Sequence, residues 1–251
     1  MSKIFWDKDK VAFFTKQLDA VEHSHWMMQL FLGLEDNLDI YVSGKRIFCK
    51  GIIVNKNISH SFSANDKQHF SALIEPTSSL ATQINIWMNG QEFFILDSFR
   101  LDQLQKSMEN FSKQMNITAY HDFINQLYTI LHIKEYPKIY DDRIVSFFHL
   151  LDNCTCNTHS IAQFAQELSL SQSRLSHLFR EQVGVPLKSY LLLHQMERAF
   201  MELFDGKTIT DAAMLSGFDS PSHFAATTKR MMGIAASLSL KDSEFLKVYP
   251  E

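Results

Sequence analysis

The stretch that decides the fold of the C-terminal half is residues 161–184, IAQFAQELSLSQSRLSHLFREQVG. Its first apolar residues recur at i, i+3, i+4 and i+7, the spacing of one helix face: Ile161, Phe164, Ala165 and Leu168. Ser160, with Gln163 three residues later, forms a capping box at the start of that helix. Ser171 is a good N-cap for a second helix, which Gly184 ends. The stretch therefore predicts a helix, a tight turn and a second, capped helix.

The same pattern returns in residues 209–224, ITDAAMLSGFDSPSHF. Thr208 opens the first helix of this copy, and Gly217 suits a turn residue in the left-handed conformation. Ser220 as N-cap and Pro221 at the first helical position open the second helix. The chain thus contains an internal repeat.

A long helix over about residues 187–204 separates the two copies. A helix, a short turn and a capped helix form the helix-turn-helix, whose second helix enters the DNA major groove. The alternative on geometry alone is two helical hairpins in an ordinary bundle. Two copies joined by one long helix favour the DNA-binding interpretation.

The solvent face of each second helix indicates what could contact DNA. In the first unit this face carries hydrogen-bonding side chains: Gln172, Ser173, Arg174, Ser176, His177 and Arg180. In the second unit it carries a more mixed set: Ser222, His223, Ala225, Ala226, Lys229 and Arg230. Alanine offers a thymine methyl group an apolar contact, whereas Lys229 and Arg230 suit phosphate. We predict that the first unit carries most of the sequence specificity.

The net charge is unusual for a nucleic-acid-binding protein. The chain has a formal net charge of −4. Residues 137–251 hold 11 Lys and Arg against 13 Asp and Glu, which leaves −2 on the region that should bind DNA. A DNA-binding domain usually presents a basic face. Either the positive charge is concentrated on one side, or non-specific binding is weak.

The N-terminal half predicts many short strands between about residues 29 and 96, which suggests a barrel or sandwich. The strand candidates are segments 38–42, 52–54, 70–74 and 84–88. Helical spacing follows, with one helix from Leu101 to about Met115 and another from about Thr118 to Leu131. Their apolar stripe could pack on the strands of its own chain or form a dimer seam. Tyr136 and Pro137 mark the next boundary.

The C-terminal motifs resemble the AraC/XylS family of regulators over about residues 141–238. The resemblance implies recognition helices in successive major grooves, with Ser173, Ser176 and His177 as base readers in the first unit. In the second unit it assigns that role to Ser222 and Ala226. This chain departs from the family pattern at Gln195 (usually arginine), Thr228 (usually phenylalanine) and Ala236 (usually proline), which weakens the case for strong binding by the second unit.

The N-terminal part more loosely resembles the cupin-like sensor domain of the same family. His23 and His25 followed by Gln29, with His60 further on, resemble the cupin metal motif, but Gln29 stands where that motif has a glutamate. A neutral amide is a poor ligand for a divalent cation, so we predict no metal and no cofactor. These four residues could instead hydrogen-bond a small-molecule effector, or serve only the structure.

Together these patterns predict a two-domain α+β protein. A cupin-like sensor β-barrel occupies residues 1–98, connector and dimerisation helices residues 99–136, and an all-α domain with two helix-turn-helix units residues 137–251. The predicted function is sequence-specific regulation of transcription, with DNA, an effector, RNA polymerase and a second copy of the chain as partners, and with no catalytic residue. A cupin enzyme, and a regulator that binds only proteins, are the alternatives.

The absence of long apolar segments predicts a cytoplasmic protein without a membrane partner. The first nine residues show no signal peptide, and no apolar run approaches the roughly 18 residues of a membrane helix. We expect the three cysteines to be reduced thiols.

Overall fold

A computed structural model of the chain describes residues 2–7, 9–134, 140–154, 160–232 and 243–248. The chain forms two compact units. The first comprises residues 1–136 together with 228–251, and the second comprises residues 137–227. Residues 228–251 therefore group with the first unit, although the sequence motifs predicted a single domain over residues 137–251.

The first unit contains a seven-stranded sheet with the strand order β10-β7-β4-β9-β2-β1-β11. Its strands are β1 (Ser2–Asp7), β2 (Lys10–Thr15), β4 (Met28–Gly33), β7 (Gly51–Val54), β9 (His69–Ile74), β10 (Phe93–Ile95) and β11 (Ser243–Lys247). Neighbours are antiparallel except β1 and β11, which run parallel with Ser2 opposite Ser243. The last described strand of the chain thus extends the sheet that the first strand belongs to.

A second, four-stranded sheet has the order β3-β8-β5-β6. Its strands are β3 (Asp19–His23), β5 (Leu38–Val42), β6 (Lys45–Cys49) and β8 (His60–Ser63). The expected β-rich unit is confirmed, but the described strands form two sheets in place of one closed barrel. Three of the four strand candidates, segments 38–42, 52–54 and 70–74, lie within observed strands.

The fourth strand candidate, residues 84–88, is wrong because this segment is the end of helix α1 (Ser79–Met88). The Ser78 side chain caps this helix by accepting a hydrogen bond from the backbone N–H of Ala81 at 3.0 Å. Its buried residues are Leu80, Ala81, Ile84 and Met88, which lie on one helix face. Alternation at Ile84, Ile86 and Met88 suggested a strand, but Ile86 is exposed.

The two connector helices are observed as α2 (Ser98–Gln114) and α3 (Ile117–Ile130). The α2 residues Leu104, Met108 and Phe111 are buried in the core of the first unit. Phe111 stacks on Phe123 of α3 with ring centroids 5.4 Å apart. The core interpretation of the apolar stripe is therefore the correct one, and this stripe is not available as a dimer seam.

The second unit is helical, as predicted. Its helices are α4 (Asp142–Asp152), α5 (Ile161–Glu167), α6 (Gln172–Val183), α7 (Leu187–Phe204) and α8 (Ile209–Leu215), followed by α9 (Pro221–Met232), which extends past the unit's last residue. Aromatic rings fill the core: Phe147 contacts both Phe164 and Phe179, and Phe179 contacts Tyr190, each pair with ring centroids 5.2 Å apart. Phe200 of α7 packs on Phe224 of α9 at 5.6 Å.

Two further expectations have structural outcomes. Cys49 is a free, buried thiol, but Cys154 is disulfide-bonded, so the prediction of reduced thiols is wrong for Cys154. Among the described residues, no helix combines the length and apolar character needed to cross a membrane.

Candidate DNA-binding surface and histidine cluster

The turn of the first helix-turn-helix unit connects α5 to α6. Ser160 and Ser171 cap the two helices through side-chain oxygens that accept hydrogen bonds from the backbone N–H groups of Gln163 and Arg174. Gly184 ends α6 in the left-handed conformation at φ 81°. These three capping residues confirm the local structure predicted for this unit.

Helix α6 is fixed to the unit by one buried stripe, which comprises Leu175, Leu178, Phe179 and Val183. The opposite side is exposed at Gln172, Ser173, Arg174, His177 and Arg180. Ser176 is half-buried. A shallow depression of about 750 Å³ runs along this side and is lined by Ser171, Ser173, Arg174, His177, Arg180 and Glu181. We call this exposed side, defined by Gln172, Ser173, Arg174, His177 and Arg180, the reading face.

The second unit has the same local design. Thr208 caps α8 through the backbone N–H of Asp211, and the Ser220 hydroxyl accepts a hydrogen bond from the N–H of His223 at 3.1 Å. Pro221 is the first residue of α9, as predicted. Ala165 of the first helix-turn-helix unit and Ala213 of the second are both buried.

Helix α9 presents a different surface from α6. Its exposed residues are Ser222, His223, Ala225, Ala226, Lys229 and Arg230, the set named from the sequence. Asp219, just before the helix, places a carboxylate oxygen 3.2 Å from Nδ1 of His223. Thr228, where the resemblance expects phenylalanine, is fully buried. Because Ala225 and Ala226 occupy the centre of this surface, it offers few hydrogen bonds to bases.

The local charge of the two helices differs from that of residues 137–251 as a whole. Helix α6 carries Arg174 and Arg180 against one acid, Glu181, which leaves +1. Helix α9 carries Lys229 and Arg230 with no acidic residue, which leaves +2. Positive charge is thus concentrated on the helices that should meet DNA, which favours the first of the two explanations for the acidic balance.

In the first compact unit, which contains the β-sheets, four residues singled out from the sequence lie close together. His23 at the end of β3 is the register partner of His60 at the start of β8, and His25 lies in the loop before β4. Ring centroids are 4.4 Å apart for His23 and His60 and 5.1 Å for His25 and His60. Oε1 of Gln29 in β4 lies 2.8 Å from Nε2 of His60 and 3.2 Å from Nε2 of His25. We call these four residues the histidine cluster.

Three members of the histidine cluster, His25, Gln29 and His60, are buried, and His23 is half-buried. Burial lowers the pKa of His25 to about 3, and the neighbouring imidazoles of His60 and His23 act in the same direction. Burial likewise lowers the pKa of His60 to about 4 and that of His23 below its ordinary value. All three rings are therefore neutral at pH 7.

A separate cavity of about 380 Å³ in the first unit lies beside β2 and the end of α2. It is lined by Phe14, Lys16, Leu34, Glu35, Asp36, Asp66, Lys67, Gln68, Ser112 and Met115. None of the four residues predicted to bind an effector is among these. Only folding brings this lining together, and no motif in the sequence pointed to it.

Comparison with known proteins agrees with this geometry. A helix-turn-helix domain family matches residues 164–240. The probable transcriptional regulator LumQ of Photobacterium leiognathi is 23% identical over 224 residues, which cover 85% of this chain and 89% of LumQ. The arabinose operon regulatory protein of Escherichia coli (strain K12) is 31% identical over 90 residues, which cover 36% of this chain and 31% of that protein.

Solved structures of ToxT from Vibrio cholerae share the fold over most of the chain. An apo ToxT variant superposes with a TM-score of 0.54 at 12% identity and covers 93% of this chain and 97% of its own. A second ToxT structure, with bound unsaturated fatty acid, superposes with a TM-score of 0.53 at 12% identity over 93% and 95% of the two chains. Residues 164–240 therefore match a helix-turn-helix domain family, and the chain is similar to bacterial transcriptional regulators, among them the arabinose operon regulatory protein.

Proposed function

We propose that this regulator recognises DNA by placing the reading face of α6 in the major groove, with α9 contributing phosphate contacts. The observation that carries the proposal is the exposure of Gln172, Ser173, Arg174, His177 and Arg180 on one side of a helix whose other side is fully buried. Arginine binds guanine bidentately, and Ser, Gln and His can donate to or accept from base edges. Ser176 contributes from its half-buried position.

The second helix-turn-helix unit contributes less to sequence specificity than the first. Ser222 is the only hydroxyl among the exposed residues of α9, and Ala226 can contact only an apolar group such as the thymine methyl. Lys229 and Arg230 lie near the end of the helix and suit phosphate oxygens. Such contacts add affinity without choosing a sequence.

Selection of bound sequences from a random DNA pool tests this proposal. Full-length protein is used at two salt concentrations. We expect an enriched motif with one well-defined half and a degenerate half one helical turn away, about 34 Å along the duplex. A motif that is equally sharp in both halves contradicts the unequal roles of α6 and α9. Absence of enrichment at both salt concentrations contradicts DNA recognition itself and favours a regulator that binds only proteins.

The first unit responds to a small molecule in this proposal. The ToxT structure with an unsaturated fatty acid supports it as a property of a protein of the same fold. Here the lining of the 380 Å³ cavity includes two lysines, Lys16 and Lys67, and the apolar Phe14, Leu34 and Met115. It also includes the carboxylates Glu35, Asp36 and Asp66, with Asp36 3.8 Å from Lys67, so Lys16 is the lysine proposed to meet a ligand's carboxylate. A panel of unsaturated fatty acids should raise the unfolding temperature of the wild-type protein more than that of Lys16→Ala. Lys45→Ala, which changes an exposed lysine outside the cavity, is the control: fatty acids should raise its unfolding temperature as much as that of the wild type.

The remaining expectations complete the proposal. Residues 1–98 sense, residues 99–136 connect and dimerise, and the helices between residue 137 and the end of α9 at Met232 bind DNA, whereas β11 belongs to the N-terminal sheet. The protein acts in the cytoplasm as a homodimer that contacts RNA polymerase, and it regulates rather than catalyses. Sedimentation equilibrium on the full-length chain tests the dimer, which must use surfaces other than the buried stripe of α2.

A further inference from the structure

The two sheets of the first unit differ in how their edge strands are protected. In the described part of the chain the edges are β10 and β11 of the larger sheet and β3 and β6 of the smaller one. Charged side chains, proline or a bulge normally keep such an edge from pairing with another chain. Three of these edges carry charged residues, namely Asp19 and Glu22 of β3, Lys45 and Arg46 of β6, and Glu244 and Lys247 of β11. Strand β10 has no charge and no proline, and its register with β7 is unbroken.

The main-chain groups of Phe93 and Ile95 in β10 point away from the sheet. In an antiparallel pair, successive residues direct their N–H and C=O groups alternately toward the neighbouring strand and away from it. The Glu92 carbonyl and the Leu96 N–H form hydrogen bonds of 2.9 Å and 3.1 Å with backbone groups at opposite ends of β7. Phe94, which lies between them, therefore also faces β7. The N–H and C=O groups of Phe93 and Ile95 lie on the outer edge, beside which the order of the described strands places no further strand.

The side chains at this edge are apolar and partly exposed. Ile95 has 46% of its surface exposed, and Phe99 in the first turn of α2 has 74% exposed. Phe94 packs on Trp87 of α1 with ring centroids 6.1 Å apart, and both rings are half-buried. Single exposed apolar residues are common, but apolar residues grouped beside a strand edge with unpaired main-chain groups mark a pairing surface.

We propose that β10 pairs with β10 of a second copy of this chain, antiparallel and centred on Phe94, and that this edge is the dimer surface. The proposal rests on the homodimer of the proposed function and names the surface that it uses. With Phe94 opposite Phe94 of the second copy, Phe93 lies opposite Ile95 of the second copy, and the two-fold axis repeats this pair. Each pair exchanges both of its N–H···O hydrogen bonds, because these are the residues whose main-chain groups point outward.

The charges that flank β10 are compatible with this register. Glu92 lies opposite Leu96 of the second copy, and Gln91 lies opposite Asp97 of the second copy, so no two carboxylates face each other. Asp97 already forms an ion pair with Arg100 of its own chain. Like charges directly opposite each other destabilise a strand pair, and this register has none. The edge of β10 is therefore complementary to itself in hydrogen bonds and in charge, which is the requirement for a two-fold interface.

The size of the surface sets the expected strength of the dimer. Stable dimers bury about 800 Å² on each partner. A strand of the length of β10 supplies only part of this area, so Phe99 and the half-buried Trp87 beside it must also be covered. An aromatic side chain can bury about 150–250 Å², so these two rings contribute substantially. The interface lies at the small end of the range for specific complexes, and we expect a dissociation constant of about 1–10 μM.

Sedimentation equilibrium on the full-length chain, from well below to well above this dissociation constant, tests the surface. Ile95→Lys places a charge on the free edge and should weaken the dimer by about tenfold or more. Val21→Lys is the matched control, since Val21 is an aliphatic residue of the edge strand β3 with 54% of its surface exposed. This control should dimerise as the wild type does. A wild type that stays monomeric, or an Ile95→Lys variant that dimerises as tightly as the wild type, would overturn the proposal.

Amide hydrogen exchange in the wild-type protein covers the case in which Ile95→Lys does not fold. The N–H groups of Phe93 and Ile95 should exchange about tenfold or more slowly in the dimer than in dilute, monomeric protein. The N–H of Phe94, which faces β7, should exchange at the same rate in both. Exchange at Phe93 and Ile95 that does not change with protein concentration contradicts the pairing of β10.

The outcomes separate this surface from the proposed function. A dimer that persists in Ile95→Lys, with unchanged exchange at the edge, excludes β10 but leaves the homodimer in place. A wild type that is monomeric at every concentration contradicts the homodimer as well. The selection of DNA sequences measures recognition by α6 and α9 independently of either result.

Discussion

Ser169 and Gly217 adopt the same left-handed conformation at the same point of the two helix-turn-helix units, with φ values of 54° and 78°. The hydrogen bonds around them also correspond. Leu170 N–H donates to the carbonyl of Ala165 at 2.8 Å, and Phe218 N–H donates to that of Ala213 at 2.9 Å. One turn geometry therefore serves both units, although only one copy uses the residue that adopts it without strain.

This difference predicts that Ser169→Gly stabilises the helical unit of residues 137–227. A serine in the left-handed region costs about 1–2 kcal/mol of folding free energy, and glycine removes this strain. Glycine also gives the unfolded chain more conformational freedom, which offsets part of the gain, so the net stabilisation should be about 0.5–1 kcal/mol. Calorimetric unfolding measures it. The reciprocal change Gly217→Ser should lower stability by a similar amount, and a change of the same sign in both variants would contradict the strain argument.

The reading face predicts different consequences for two substitutions in the recognition helices. His177→Ala should alter base preference in a sequence-selection experiment, because His177 lies exposed at the centre of α6. Lys229→Ala should weaken binding to all sequences alike and reduce the salt slope by about 1, as expected for one lost phosphate contact. If His177→Ala leaves both affinity and preference unchanged, the assignment of the reading face is wrong.

Lys10 predicts a large effect from one buried charge. Its Nζ lies 2.7 Å from Oδ2 of Asp7 and also contacts Asp9, and the residue is buried. Burial lowers the pKa of Lys10, but the two carboxylates outweigh it and raise the pKa above its ordinary value. Lys10→Ala leaves these carboxylates without their cation and should destabilise the first unit by about 3 kcal/mol.

Tryptophan fluorescence is the appropriate measurement, because all three tryptophans (Trp6, Trp26 and Trp87) lie in the first unit. Arg46→Ala, which breaks an exposed ion pair with Asp39, is the control and should change the unfolding midpoint little. Equal losses in the two variants would show that burial of Lys10 does not matter.

His69 predicts part of the acid sensitivity of the first unit. Burial lowers its pKa from 6.5 to about 4, although Asp19 and the carbonyl of Lys67 oppose this shift. Above pH 6.5 the ring is neutral in both the folded and the unfolded chain. Between pH 6.5 and about 4 only the unfolded chain takes up the proton, so stability falls with pH, by about 2 kcal/mol at pH 5 for this residue.

The variant His69→Asn retains a donor for the Lys67 carbonyl but cannot titrate. It should be less stable than the wild type at pH 7, because it loses the ring contact with Phe62. Its urea midpoint should nevertheless fall less between pH 7 and pH 5, and an equal fall in both proteins would exclude His69 as a contributor.

Strand β11 predicts that the end of the chain stabilises its N-terminal sheet. Val248 N–H donates to the carbonyl of Trp6 at 2.9 Å, and Leu246 packs against the core of the first unit. Truncation after residue 242 should therefore lower the unfolding midpoint measured by tryptophan fluorescence. Glu244→Gln, which removes only the ion pair with Lys3, should have a small effect. A truncated chain as stable as the full one would contradict this role.

The sequence by itself determined the second unit almost completely. Helix caps at Ser160, Ser171, Thr208 and Ser220 and apolar stripes at helical spacing act within a few residues, so their outcome can be predicted from local pattern. The bounds of α7 and the exposed residues of α6 and α9 followed from the same short-range rules, except that Ser176, expected on the solvent face of α6, is half-buried.

Only the tertiary structure decided the rest. The segment containing Ile84, Ile86 and Met88 fits either period over so few residues, and packing against the core selected the helix. Parallel pairing of β11 with β1, across 241 positions from Lys3 to Glu244, leaves no local signal. The histidine cluster likewise depends on the register of β3 with β8, and its ring orientations depend on backbone carbonyls whose positions exist only in the folded chain.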